Sequence, residues 1–257
     1  MASERTESEI IIFDTPSKNG KTWSHHVLRI LFAVHYKGLP YSFKGVEYPD
    51  IVATFEPTTL ERKDDPVEPY EIPVVCFQTR AGIPQYHMEP LKILQALEDI
   101  QPEPSLLHNS PRSVEYRSRF GPAFAPIIQL VVGHVPDILS ERSATAFSHK
   151  RQSRWGKSVE QWVAEHPIES GLNAAEPKLK EFGDWLELTP GPFINGSQAG
   201  YADFTVVSFL GFAKAVGLEG VFTKLLGMHP AIERLYSAVK LTQQGNVRCQ
   251  DLFGPNV

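Results

Sequence analysis

The order of strand and helix patterns constrains the fold of this chain more than any other feature. Residues 9–14, EIIIFD, are a short apolar run that predicts a buried strand. A helix is predicted from Ser24 to Lys37, where apolar residues recur every three to four positions and Gly38 follows as a stop signal. The segment LPYSFKGVEY then alternates like a second strand. Two strands joined by a helix predict a parallel pair with a crossover connection.

The chain changes character after residue 101. Before that point, residues 71–77, EIPVVCF, predict a third strand, IPQYH a hairpin partner, and residues 89–99 a helix. A proline-rich stretch follows, and beyond it only helical patterns occur, at residues 113–139, 143–165, 173–188, 201–216 and 231–240. We therefore expect an α/β domain at residues 1–101 and an all-helical domain at residues 112–257.

Composition limits the partners of the protein. A net charge of −5 over 257 residues argues against nucleic acid, which attracts basic proteins. Cys76 and Cys249 are far apart and form no CxxC motif, so neither a disulfide scaffold nor a thiolate zinc site is expected. The polar start, MASERTESE, is unlike a signal peptide, and no apolar stretch reaches the ~20 residues of a membrane span. We expect a cytoplasmic protein with no membrane contact.

Several motifs together resemble the cytosolic glutathione transferases. The order β-α-β-α-β-β-α, with a proline opening the third strand, is similar to the thioredoxin-like domain of that family. DTPSKNGKTWS and YKGLPYSFKGVEYPDI resemble its fungal etherase-type branch, and INGSQAGYADFTVVSFL and HPAIERLYSAV resemble two of its C-terminal helices. The resemblance implies a thioredoxin-like domain followed by an all-α domain, glutathione as a cosubstrate, and a homodimer.

Ser24 is the first candidate catalytic residue. It matches the position of the catalytic serine in the etherase-type branch, where a hydroxyl and a helix N-terminus stabilise the glutathione thiolate. The residue type alone also fits a simple N-cap, because serine is preferred at that position.

His25 and His26 follow Ser24 directly, where the family usually carries small residues or proline. Adjacent helix residues do not share a face, so the pair is a poor metal chelate and no metal is expected. A helix N-terminus disfavours imidazolium, and a neutral imidazole can act as a general base. Packing or solvent exposure is the alternative for either ring.

The resemblance assigns glutathione binding to four further residues. Ile72 and Pro73 match the cis-proline position, whose preceding backbone pairs with the cysteinyl part of glutathione; a trans proline at a strand start is the alternative. Glu89 matches an acidic residue that binds the γ-glutamyl end. Pro90 replaces the serine that holds its carboxylate, and proline supplies neither a hydroxyl nor an N–H. Each lost hydrogen bond to a charged group is worth about 1.5–3 kcal/mol.

The helical half supplies candidates for an acceptor pocket. Phe120, Phe124, Gln129 and Trp155 fall on helices that line the acceptor site in the family, although core packing also explains the aromatic residues. The basic run at residues 151–157, RQSRWGK, fits either an anionic ligand or a solvated helix face. Asp203 matches the family's helix-capping aspartate and is expected to be structural.

Three functions are consistent with these residues. The first is attack of a glutathione thiolate on a small hydrophobic electrophile, by conjugation or thiolytic ether cleavage. The second is a glutathione-independent isomerase, dehydratase or cyclase that uses His25 and His26, which the Pro90 substitution motivates. The third is a non-catalytic carrier of hydrophobic ligands.

Overall fold

The computed structural model describes residues 9–78 and 82–245. A four-stranded sheet has the strand order β2-β1-β3-β4. Strand β1 pairs parallel with β2, whereas β3 pairs antiparallel with both β1 and β4. The predicted crossover and the predicted hairpin are therefore both confirmed. The strands are β1 (Glu9–Asp14), β2 (Tyr41–Gly45), β3 (Val74–Gln78) and β4 (Gln85–His87).

Ten α-helices accompany the sheet within the described residues, three of them in the first hundred positions. The first half is thioredoxin-like and the second half is all-helical, as expected. The helices are α1 (His25–Tyr36), α2 (Ile51–Phe55), α3 (Pro90–Ile100), α4 (Pro111–Val131), α5 (Glu141–Trp155), α6 (Val159–Glu165), α7 (Ile168–Glu187), α8 (Tyr201–Ala215), α9 (Glu219–Gly227) and α10 (Pro230–Thr242).

Two long predicted helices are each divided in the structure. The pattern at residues 113–139 ends as α4 at Val131, and a 3₁₀ segment that contains Pro136 continues to Ile138. The pattern at residues 143–165 is broken by Gly156, whose φ of 68° only glycine adopts readily. Helix α9 was not predicted, because its nine residues carry too short a periodic pattern to stand out.

One helix joins the two halves of the molecule. Helix α1 lies against the sheet and packs against α8, where the rings of Phe32 and Phe204 are 6.3 Å apart. Helix α8 is apolar nearly all round, which suits a helix at the centre of the core. Asp203 caps it, since its two carboxylate oxygens accept from the N–H groups of Ile194 and Gly200, each at 2.7 Å. Burial raises the pKa of Asp203 to about 7, and its role is structural, as predicted.

A buried lysine fixes the connection between α3 and α4. Lys37 follows α1, is 5% exposed, and lies 2.9 Å from the carboxylate of Glu98. Its ammonium also donates to the carbonyls of Gln101 at 2.5 Å and Pro104 at 3.0 Å. The connecting segment is thus tied to the first half, while a domain boundary within it stays a prediction.

No helix in the described part of the chain is long and apolar enough to cross a membrane.

Candidate functional site

The residues predicted to bind glutathione lie at the end of the sheet near the start of α1. The antiparallel register of β3 with β1 sets Ile72 and Pro73, which precede β3, beside the carboxyl end of β1. Glu89 follows β4 at the same edge. The Ile72–Pro73 peptide bond is cis, as predicted.

The loop from β1 to α1 is held in place by two hydrogen bonds. The indole N–H of Trp23 donates to the carbonyl of Thr15 at 2.7 Å, and the hydroxyl of Thr22 donates to Asp14 Oδ2 at 2.8 Å. Both bonds tie the residues just before Ser24 to the residues at the end of β1. The start of α1 is therefore fixed relative to the cis-proline turn.

Ser24 is the N-cap of α1, but its side chain does not cap the helix. It has extended backbone angles, with φ −66° and ψ 121°, and its hydroxyl accepts no capping hydrogen bond. By contrast, the side chains of Ser110, Ser140 and Ser158 each accept from a backbone N–H in the first turn of their helices. The half-buried Ser24 hydroxyl is therefore not used to cap its own helix, whereas the N–H of Val27 donates to the main-chain carbonyl of Ser24 at 3.0 Å.

The two histidine rings contact each other at the first turn of α1. Their centroids are 3.8 Å apart, and the His25 ring also lies 5.0 Å from the rings of Phe209 and Phe212 on α8. His25 is partly exposed and His26 exposed, so His25 packs and His26 faces solvent.

The surroundings keep both imidazoles neutral. Removal of water by the surrounding protein lowers the pKa of His25 and of His26, and the positive charge of Arg29 lowers both further. Each ring can therefore accept a proton at one nitrogen and donate from the other.

The start of α3 has the composition expected from the sequence. Pro90 occupies the first helical position, where proline fits but offers no N–H. The half-exposed Glu89 side chain forms an ion pair with Lys92 at 3.1 Å, and Lys92 also contacts Glu61 at 2.8 Å. The carboxylate of Glu89 is thus already engaged with a cation.

The four predicted acceptor-site residues lie in different environments. Phe120 is half-buried and stacks on Phe124 at 4.6 Å, whereas Phe124 has no exposed surface and packs in the core. Gln129 is exposed, and its main-chain carbonyl accepts from the indole of Trp162 at 2.8 Å. Trp155 stacks on Trp162 at 4.1 Å. The structure therefore does not bring these four side chains into a single pocket.

Comparisons with known proteins agree with this architecture. Residues 116–226 match the family model of the glutathione S-transferase C-terminal domain. The chain is also 25% identical over 221 residues to the glutathione S-transferase-like protein ustS of Aspergillus flavus, covering 81% of this chain and 80% of the relative. The chain is thus similar to glutathione transferase-like proteins over most of its length.

Solved structures of fungal transferases share the whole fold. Glutathione transferase GSTFuA2 from Phanerochaete chrysosporium superposes with a TM-score of 0.76 at 24% identity, over 92% of this chain and 98% of that one. A glutathione S-transferase of Ceriporiopsis subvermispora, solved in complex with glutathione, gives 0.77 at 21% identity, over 91% and 98%. The glutathione transferase fold of this chain is thus established.

Sequence reasoning missed Arg29. It follows His25 by four residues and His26 by three, so one turn of α1 brings its charge near both imidazoles. The spacing of three and four residues in a predicted helix was the signal that could have placed Arg29 next to the two histidines. Among the described residues, no group of three His, Cys, Asp or Glu side chains is placed to hold a metal ion.

The basic run on α5 contacts the first half of the molecule. Arg154 pairs with Asp65 at 2.8 Å, and both Lys150 and Arg154 form ion pairs with Glu68. The Arg151 guanidinium lies over the rings of Phe147 at 4.9 Å and Trp155 at 5.6 Å. Two basic side chains of α5, Lys150 and Arg154, therefore pair with an acidic loop of the first half.

Proposed function

We propose that the protein is an enzyme that adds the sulfur of glutathione to a small hydrophobic electrophile. The observation that carries this proposal is the Ser24 hydroxyl, which stands at the N-terminus of α1 without a capping hydrogen bond. A serine that does not cap its own helix retains a donor for another anion.

The chemistry requires an ionised thiol. A free thiol has a pKa of about 8.5, and a helix N-terminus with a hydroxyl donor lowers it towards neutrality. The Ser24 O–H would donate to the sulfur and the first amides of α1 would supply positive potential. The thiolate then attacks an electrophilic carbon and a C–S bond forms. In addition reactions a proton moves to the acceptor, and in ether cleavage the C–O bond breaks and the oxygen leaves with the electron pair.

Two elements support binding of the peptide at this place. Ile72 lies outside the strand ladder at the edge where α1 begins, so its main chain is positioned to pair with an extended peptide. The similar transferase of Ceriporiopsis subvermispora was solved with glutathione bound, which supports the same cosubstrate here. Glu89 would face the γ-glutamyl end, whereas Pro90 contributes no hydrogen bond there.

The proposal predicts that the protein binds glutathione weakly and still uses it as a cosubstrate. Loss of the two hydrogen bonds that Pro90 cannot make weakens affinity by roughly a hundredfold or more. Glutathione should therefore bind by calorimetry in the millimolar range, and the protein should accelerate its addition to phenethyl isothiocyanate. Ser24→Ala should remove most of that acceleration without reducing thermal stability.

A different outcome would support the imidazole chemistry instead. Two neutral histidine rings contact each other, and the His25 ring packs on Phe209 and Phe212. This contact is the observation that favours imidazole chemistry. Absent glutathione binding, with turnover that survives Ser24→Ala but is lost in His25→Ala or His26→Ala, would contradict the thiolate proposal. The control is Ser158→Ala, a serine at another N-cap.

A further inference from the structure

A pocket lies where four helices meet, and its lining includes Arg29, one turn of α1 after the histidine pair. It has a volume of about 220 Å³ and is bounded by α1, α3, α4, α8 and the segment before α4. Its polar and charged lining includes two arginines and two tyrosines. The lining includes Arg29, Leu91, His108, Tyr116, Arg117, Phe120 and Tyr201.

Arg29 carries an uncompensated charge into this pocket. Within the described part of the chain, its guanidinium forms no ion pair and no hydrogen bond, and its one contact of note is the ring of Tyr201 at 5.7 Å. Nε is buried, while Arg29 as a whole is only half-buried. A partly buried guanidinium without an anion is costly, because proteins normally pair such charges.

The lining residues include no acid that could neutralise Arg29. Arg117 adds a second positive charge, and its guanidinium donates only to the carbonyl of His108 at 2.7 Å. The nearby carboxylates are already engaged. Glu98 binds Lys37 at 2.9 Å, and Glu115 binds Arg119 at 2.9 Å. The pocket therefore has a net positive charge among its described residues.

Two phenol groups stand on the same side as Arg29. The hydroxyls of Tyr116 and Tyr201 are buried, and neither has a hydrogen-bond partner of good geometry among the described residues. Burial raises the pKa of both phenols, so they stay protonated and act as O–H donors. Unsatisfied buried donors are rare in folded proteins and often mark a place where a ligand binds.

From this arrangement we infer that the pocket binds the carboxylate group of a small organic acid. A carboxylate matches the planar fork of one guanidinium and brings one negative charge, which is what Arg29 lacks. Leu91 and Phe120 provide apolar surface for the organic part of the molecule. The volume suits a single ring or a short chain rather than a phosphorylated or polymeric ligand.

The position of the pocket relates it to the histidines. Arg29 lies one turn along α1 from His25 and His26. Phe120, at the pocket wall, is 5.6 Å from Phe209, and His25 packs on the same Phe209 ring. A molecule whose carboxylate binds Arg29 thus extends towards the imidazole pair and the start of α1.

Two sources of the carboxylate share this chemistry. It belongs either to an acidic acceptor molecule or to the γ-glutamyl end of glutathione, because Leu91 directly follows Pro90 at the start of α3. In the second case the inference rests on the proposed function. Benzoate binding is measured without glutathione, so failure of one proposal is distinguishable from failure of the other.

Calorimetric titration of the full chain with benzoate and with benzamide tests the inference. Benzoate should bind and benzamide, its neutral analogue, should bind about tenfold more weakly or not at all. Arg29→Met should remove the preference for benzoate and Arg29→Lys should retain part of it. Arg234→Gln, which removes an exposed arginine paired with Glu187, should leave the preference intact.

The source is identified with glutathione and 4-aminobutyryl-cysteinylglycine, which lacks the α-carboxylate. If the wild-type protein binds the truncated peptide more weakly than glutathione, and Arg29→Met binds the two equally, the pocket holds the γ-glutamyl carboxylate of glutathione. If the wild-type protein binds both peptides equally, the pocket holds the carboxylate of an acidic acceptor. Equal binding of benzoate and benzamide by the wild type would overturn the inference, even if Arg29→Met does not fold. The inference would also be overturned if the wild-type protein were a dimer and Arg29→Met dissociated it. In that case the anion that pairs with Arg29 would come from a second copy of the chain.

Discussion

The two ends of helix α1 differ in whether their polar side chains are satisfied by hydrogen bonds within the fold. At the C-terminal end, the ammonium of Lys37 is buried and satisfied by Glu98 and by the carbonyls of the α3–α4 connection. At the N-terminal end, the Ser24 hydroxyl makes no capping bond and the two histidines contact each other and the aromatic rings of α8. One end has the features of structural support and the other has the features of a site.

The difference is instructive because both ends belong to one rigid element. Satisfying buried charges at one end stabilises the fold, and leaving donors free at the other end reduces the intrinsic stability of the helix. A side chain that supports the fold should affect unfolding when it is changed, and one that supports function should affect turnover. Each of the following experiments separates these two effects.

The largest effect is expected from Lys37→Met. It leaves the Glu98 carboxylate and several carbonyls without their cation in a buried place, which costs about 3–5 kcal/mol of unfolding free energy. Denaturant unfolding measures this loss. The matched control is Lys157→Met, which removes a partly exposed partner of Glu165 and should cost about 1 kcal/mol or less. Similar losses in both variants would show that burial does not distinguish the two lysines.

Ser24→Ala should affect turnover and leave stability nearly unchanged. Removing one donor to a developing or stabilised anion lowers rates by about a hundredfold. Since the hydroxyl makes no capping bond, the free energy of unfolding should change by about 0.5 kcal/mol or less. Initial rates of glutathione consumption and a denaturation curve check both statements. A large loss of stability would mean that Ser24 caps α1 in solution.

Ser158→Ala should give the reverse result. The Ser158 hydroxyl accepts from the N–H of Gln161 at 3.3 Å, and the Gln161 side chain accepts from the N–H of Ser158 at 2.9 Å. Loss of such a capping box costs about 1 kcal/mol, and turnover should not change. Thermal melting at fixed pH measures the difference. A change in rate without a change in stability would contradict the distinction between the two serines.

The pH dependence of stability should reveal the environment of His25. Its pKa is lowered in the folded state, so below its ordinary value the unfolded chain binds more protons and folding becomes less favourable. Stability therefore falls as the pH is reduced from about 6.5, by at most about 1.4 kcal/mol per pH unit for one group. His25→Phe keeps the ring contacts with Phe209 and Phe212 and should make this fall smaller. Identical pH profiles would mean that the ring is not shielded from water.

Much of the fold could be predicted from the sequence because its strands and helices have clear periods. The run at residues 9–14, the helix from Ser24 to Lys37 and the cis bond before Pro73 all agree with the structure. The helical half was less accurate at its breaks. Helix α5 ends at Gly156 and α4 gives way to a 3₁₀ segment at Val132, but apolar residues continue beyond each of these breaks.

The candidate site could be predicted only in part, because the spacing of residues along the sequence does not show which side chains meet in the folded protein. The placement of Ser24 and Glu89 at one sheet end follows from strand order. In contrast, Phe124 is fully buried and stacks on Phe120, which no local pattern reveals. Arg29 was overlooked since a single arginine on a helix usually reaches solvent, and its isolation from acids is a property of the assembled helices.

The contacts of α5 have a consequence for how the two halves respond to ionic strength. The bidentate pair between Arg142 and Asp50 is exposed, so dissolved salt screens it, with a Debye length of about 8 Å at physiological concentration. Glu68 is 7% exposed and remains paired with Lys150 and Arg154 under the same conditions. High salt therefore weakens the Arg142–Asp50 pair near the start of α5 and spares the Glu68 pairs nearer its end, so the contribution of ion pairs to the attachment of this helix depends on salt unevenly along its length.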